Sequence, residues 1–360
     1  MSHPYRTLPD KAFWRRAVVR PAPQEVDPVG RFDLRLTPDM KVATAGSCFA
    51  QHIARHLQAS GFNYYVAEPG HPVLPEPLRT AHGYGLFSAR YGNLYTARQL
   101  AQLIERAYGR FDPQEGGWQM PDGSWRDPFR PTIQPGNFAS EDEMLADRAQ
   151  HLAAVRDMFE TLDVFVFTMG LTEAWESRAD GAVFPLCPGV EGGMFDATRY
   201  ALRNQDAPEV IADMQTVLDR LAEVNPKAQV ILTVSPVPLM ATAEPDAHVL
   251  TATTYSKSVL RVAAETLRKT QDHVHYFPSY EVITGAYNGA RYFAEDLRNV
   301  TEEGVAHAMR LFLQHATGTD IPAPPVSVSV SARDNRTEEA LQAARDFIDV
   351  ECDEIALDRD

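Results

Sequence analysis

The chain has 360 residues, 44% of them apolar, and a formal net charge of −15 at pH 7. That length holds one large domain with insertions or two ordinary ones, with enough apolar material for a sizeable core. The charge argues against nucleic acid or an anionic membrane surface as the main partner, and the opening stretch has no apolar run long enough for a signal sequence or a membrane span.

Residues 1–40, rich in proline and arginine, read as an irregular lead-in. KVATAG (41–46) is a buried type of strand, followed at once by the helix CFAQHIARHLQASG, which Gly61 stops. Residues 63–140 crowd Gly, Pro, Tyr and Trp around one clear helix, TARQLAQLIERAYG, and read as a loop-rich insertion laid over a scaffold. Regular alternation then resumes. The helix EDEMLADRAQHLAAVRDMFET leads to the strand DVFVFTMG and another glycine-rich loop. PEVIADMQTVLDRLAEVNP leads to AQVILTVSP, TTYSKSVLRVAAETLRKT to VHYFPS, and TEEGVAHAMRLFLQHA is a last helix. Continuous apolar strands separated by amphipathic helices predict a parallel sheet covered on both faces, an α/β fold in a three-layer α/β/α sandwich of flavodoxin-like type. The main domain is expected over 41–317, and 318–360 read as a Pro/Ser linker and a separable acidic helical tail.

Ligands of open α/β sheets sit outside the carboxyl ends of the strands. Four segments place unusual residues there: AGSC at the first strand, TMGLTEAW (168–175), TVSPVPL (233–239) and AEDLRN (294–299). Their order and spacing resemble the SGNH (GDSL-type) hydrolase superfamily, and GSCFA itself resembles the signature of the GSCFA family. The resemblance implies an acyl-ester hydrolase or O-acyltransferase acting on a small-molecule or glycan acyl substrate linked to carbohydrate or polysaccharide; the sequence has no HExxH or clustered Cys/His spacing, so no metal or cofactor is expected. It puts Gly46, Ser47 and Cys48 where the superfamily has Gly-Asp-Ser, which makes Cys48 the nucleophile. Gly92, beside Asn93, falls at the second-block glycine. Gly170, Leu171, Thr172 and Glu173 match Gly-x-Asn-Asp, so Thr172 stands where an oxyanion-hole asparagine would be. The last block, Asp-x-x-His, reads Asp296, Leu297, Arg298, Asn299: the acid is present and the histidine is not.

Chemistry tolerates that loss better for a thiol than for a hydroxyl. Some thiolate exists near neutral pH, and the first turn of a helix favours it. His52, four residues on, is the first candidate to share a proton with Cys48; His56, His82 and His307 are the others. The competing expectation for these histidines is an ordinary polar-face role, for Cys48 simple packing, and for Glu173 a structural pair. Tyr91, Asn93, Tyr95, Trp125 and Arg130 bring aromatic and polar side chains to the insertion, either to grip a sugar or to pack it down. Cys187 and Cys352 have no partner pattern, so no disulfide framework or zinc site is expected, and a reduced, cytoplasmic protein is the default. The rival to an enzyme is a catalytically degenerate scaffold that binds an acylated glycan or partner.

Overall fold

A computed structural model describes residues 3–319 and Leu357. After a lead-in of short helical turns, β1 (Val42–Gly46) runs into α1 (Phe49–Ala59) with only Ser47 and Cys48 between them. The insertion holds α2 (Glu76–Ala81), α3 (Ala97–Ala107) and a hairpin of β2 (Trp118–Gln119) and β3 (Trp125–Arg126). α4 (Glu141–Thr161) leads to β4 (Val164–Met169), and β5 (Glu173–Ser177), β6 (Val183–Phe184) and β7 (Tyr200–Asn204) follow. The chain then alternates through α5 (Ala207–Val224), β8 (Gln229–Val234), α6 (Val249–Thr270), β9 (Val274–Tyr276), α7 (Ser279–Thr284) and α8 (Glu302–Thr317). Helix starts sit where the sequence offers caps: Thr96, Ser140, Asp206 and Thr301 each accept a backbone N–H from three residues on.

The central sheet has the order β1-β4-β8-β9, with every pairing parallel. Beyond β1, Val42 N–H donates to Asn63 O at 3.0 Å and Tyr65 N–H to Val42 O at 2.9 Å, a parallel bridge where a further strand would lie. The chain therefore leaves β1 first to one side and later, through β4, to the other. That reversal makes the carboxyl ends of β1 and β4 the topological switch point, where open α/β sheets bind ligands.

Strand alternation sorts the core onto two faces. Phe165, Phe167, Val230 and Leu232 pack with α3, α4, α5 and α6. Val42, Val164, Val166 and Ile231 pack with α1, α7 and α8. The three-layer α/β fold expected from the sequence is what forms.

Three stretches differ from the sequence reading. The glycine-rich loop after β4 carries a second sheet, antiparallel, in the order β6-β5-β7. Part of the lead-in is bound down: Leu36 N–H donates to Ala316 O at 2.7 Å, Arg310 reaches Gln24 O at 2.8 Å, and Val29, Phe32, Leu34 and Leu36 join the α8 side of the core. The insertion is held by a buried ion cluster. Asp127, fully buried, takes Arg130 at 3.0 Å and Arg148 at 2.8 Å, and Asp147 takes Arg90 at 2.7 Å and Arg130 at 2.8 Å. The Pro/Ser linker and the acidic tail lie outside the described residues, apart from Gly318, Thr319 and Leu357.

Burial works against the Asp127 charge, but the Arg130 and Arg148 guanidiniums override it and hold the carboxyl well below the usual carboxylate range. Asp127→Asn strands those arginines, and urea unfolding should show a loss of about 3–5 kcal/mol. A variant as stable as the parent would mean that water reaches the cluster.

Two buried histidines give the fold an acid limit. Burial lowers both His151 and His307 to about 4, below their unfolded value. The unfolded chain then binds more protons, so this stability is full above about pH 6.5 and is lost as pH falls toward 4, at about 1.4 kcal/mol per pH unit for each group. The melting temperature should drop between pH 7 and 4.5, and His307→Gln should flatten the slope. An unchanged slope in that variant would remove His307 from the account.

Candidate active site

Gly46 ends β1 at φ +136°, a conformation other residues rarely adopt, and a Cβ there would lie 2.8 Å from Thr168 N. The strands are thereby locked together at the switch point: Ser47 N–H donates to Thr168 O at 3.1 Å, and Leu94 N–H to Gly46 O at 2.9 Å. The second bond brings the Gly92–Asn93 loop against the strand end, with Gly92 itself in the left-handed region at φ +68°.

The Gly170 turn closes the opposite side. Gly170 and Leu171 both donate to Tyr95 O at 2.9 Å, and a Cβ on Gly170 would come 3.1 Å from the Ser47 Cβ. Two residues of α6 hold this turn from behind. Ser256 Oγ accepts Thr172 N–H at 3.1 Å, and the Lys257 ammonium donates to Gly170 O at 2.7 Å. Lys257 is 1% exposed, a buried cation at the carboxyl end of the sheet. The sequence carried a signal for it: Lys257 stands in register with Leu260, Ala264 and Leu267, a charge on the apolar face of the helix.

Cys48, 3% exposed, packs with Val237 of the SPVPL segment and Val300, the residue after the Asp-Leu-Arg-Asn segment. Two of the four strand-end segments, with the residue that follows a third, thus meet at its side chain, and the Gly170 turn adjoins its neighbour Ser47. The Ser47 and Thr168 hydroxyls are buried with no hydrogen-bond partner among the described residues, an uncommon state for polar groups in a folded interior.

Cys48 is disulfide-bonded in this structure, against the expectation of a free thiol, and the free cysteine among the described residues is Cys187, whose thiol burial pushes up to about 11. Spacing along the chain does not decide whether a cysteine is paired, which is where the sequence expectation failed. The third cysteine, Cys352, lies outside the described residues.

In the last block, Asp296 Oδ1 accepts the backbone N–H groups of Arg298 and Asn299, both at 3.0 Å, and its Oδ2 accepts the Asn299 side-chain amide at 2.7 Å. An amide therefore occupies the acid's outward oxygen. Thr172 is turned to structure: its hydroxyl donates to Asn204 Oδ1 at 2.7 Å, so that proton is not available to an oxyanion. Glu173 binds Thr242 Oγ1 at 2.6 Å and Ala243 N–H at 3.2 Å, fastening the loop after β8, and burial raises its pKa.

The histidines disperse. The His52 ring packs on Phe49, with ring centres 5.6 Å apart, and burial together with Arg55 lowers its pKa to about 4, leaving a weak base. His56 binds His52 O at 3.0 Å, His82 binds Leu78 O at 2.9 Å, and His307 meets the Tyr292 hydroxyl at 2.9 Å. Arg130 belongs to the ion cluster, and the Tyr91 hydroxyl donates to Thr44 O beneath the sheet edge, so both pack the insertion down.

Fold and site together define a doubly wound α/β protein with a buried cysteine at its switch point. The GSCFA family model matches residues 41–312, and the chain belongs to the GSCFA family. No curated protein matches the chain. Among solved structures it is similar to an acetyl esterase mutant with acetate ion, at 11% identity over 76% of this chain and 94% of that one, TM-score 0.33. It is also similar to a carbohydrate esterase family 3 protein from Talaromyces cellulolyticus, at 12% identity over 76% and 94%, TM-score 0.35.

Proposed function

We propose that this protein is an SGNH-like acyl-ester hydrolase or O-acyltransferase whose nucleophile is Cys48 in its reduced form. The observation that carries the reading is the convergence at the switch point: Gly46-Ser47-Cys48 at the β1–α1 joint, the Gly170 turn beside Ser47, and Val237 and Val300 against Cys48. Reduction of the disulfide releases the thiol. Its thiolate adds to the acyl carbonyl, the ester C–O bond breaks, and the alcohol leaves with a proton from solvent. The thioester is then cleaved by water, giving the acid, or by an acceptor hydroxyl, giving a new ester. Backbone N–H groups at Cys48 and Gly92 are the oxyanion donors in this reading, each worth about 3 kcal/mol in a preorganised site. A carbohydrate-linked substrate is the class we favour. Turnover of fluorogenic acyl esters by the reduced protein tests the activity, and inertness across several acyl lengths would leave a binding scaffold. The amide at position 299 favours that second reading.

Asn299→His tests the site's ancestry. Asp296 already holds a side-chain donor from position 299, so an imidazole there can direct its second nitrogen outward. The variant should gain about tenfold in kcat/KM with a new limb near the histidine pKa. No gain and no new limb would show that the Asp296 segment stands too far from Cys48.

A further inference from the structure

A cleft of about 710 Å³ begins beside the strand end at Gln51, Gly92 and Asn93 and runs along α1 under α2 and the Tyr84–Phe87 segment. Its wall mixes apolar surface (Val66, Leu86, Phe87) with amides and hydroxyls, and its charged residues among those described are Arg55, Arg79 and Glu76. Arginines elsewhere in this acidic chain are heavily paired. Arg90, Arg98, Arg126, Arg130, Arg148 and Arg220 all meet carboxylates within 4 Å. Arg55 and Arg79 make no ion pair and no side-chain hydrogen bond among the described residues. Glu302 acts on Arg55 only through space, and Glu76 stands one turn before Arg79 on α2 without bonding to it.

The Arg79 Nε–H is buried and has no acceptor among the described residues. A desolvated donor left without an acceptor is destabilising. An arginine Nε–H and its neighbouring Nη–H form the parallel pair that binds carboxylate or phosphate in bidentate fashion. We propose that this cleft is the substrate's second binding site and takes an oxyanion, a carboxylate or a phosphate, carried on the ester at a distance from the reacting carbonyl. Arg79 holds the anion, Arg55 adds charge from α1, and the apolar wall takes the intervening carbon skeleton. The inference deepens the esterase reading by naming the substrate's charge, and it rests on that reading only for the word substrate.

Binding and turnover are measured separately so that the two ideas fail separately. Calorimetric titration of the full chain with inorganic phosphate and with succinate reads the site without catalysis. At least one of the two should bind, the preferred one naming phosphate or carboxylate, and Arg79→Gln and Arg55→Gln should each weaken it about tenfold while Arg79→Lys keeps part of the affinity. Reduced protein should also prefer p-nitrophenyl hemisuccinate over p-nitrophenyl acetate, through KM, with the preference lost in Arg79→Gln. Binding of neither anion, or binding that is the same in Arg79→Gln, overturns the anion site. Anion binding with no ester turnover leaves the site standing and removes the esterase.

Discussion

Ester turnover should fall about a thousandfold or more in Cys48→Ala, and the parent protein should turn over only after reduction. Both follow from the same sulfur. A disulfide-bonded cysteine has no thiolate to offer, and Cys48 is disulfide-bonded here. Dithiothreitol should therefore raise the rate of oxidised protein, with a dose dependence typical of thiol–disulfide exchange. Cys187→Ser should leave that requirement intact, since Cys187 is free. Full activity in oxidised parent protein, or in Cys48→Ala, would separate the chemistry from this residue.

The second large effect is expected at Lys257. Lys257→Met removes the hydrogen bond to Gly170 O and leaves a buried carbonyl unsatisfied, which costs about 1–3 kcal/mol of stability. It also removes a buried positive charge from the turn that adjoins Ser47, where negative charge develops in the proposed reaction. The loss should fall on kcat, by about a hundredfold, with KM little changed, and the acid limb of kcat/KM should move to higher pH. Lys257→Arg should restore part of the rate if charge matters, although the guanidinium fills the pocket differently. Loss of stability with kcat and the pH profile intact would make Lys257 a structural tether alone.

Much of the fold was legible because its signals are local. The apolar runs at Val42, Val164 and Val230 and the caps at Thr96, Ser140, Asp206 and Thr301 announce strands and helix starts within a few residues. β5–β7 leave little trace in the sequence because they are short and split by turn residues, and β5 and β7 are partly exposed, so they present neither a long apolar run nor a helical period. Side-chain partners chosen across long separations left no trace in spacing. Arg90 finds Asp147, Thr172 finds Asn204, and Lys257 finds Gly170 only once the sheet has formed. The block pattern singled out Cys48 and the Asp296–Asn299 segment, and Val300, the next residue, packs against the Cys48 and Val237 cluster. It gave Thr172 an oxyanion role although its hydroxyl is taken by Asn204, and it gave His52 a proton-sharing role that a half-buried, weakly basic ring fills poorly.

The most direct measurement is the identity of the acylated residue. Reduced protein is mixed with p-nitrophenyl acetate, quenched in acid during the burst and digested for peptide mapping by mass spectrometry. The account predicts an acetyl group on Cys48, in the peptide spanning the β1–α1 joint, and its disappearance in Cys48→Ala. An acetyl group on Ser47 instead, or a burst that persists in Cys48→Ala, would contradict it.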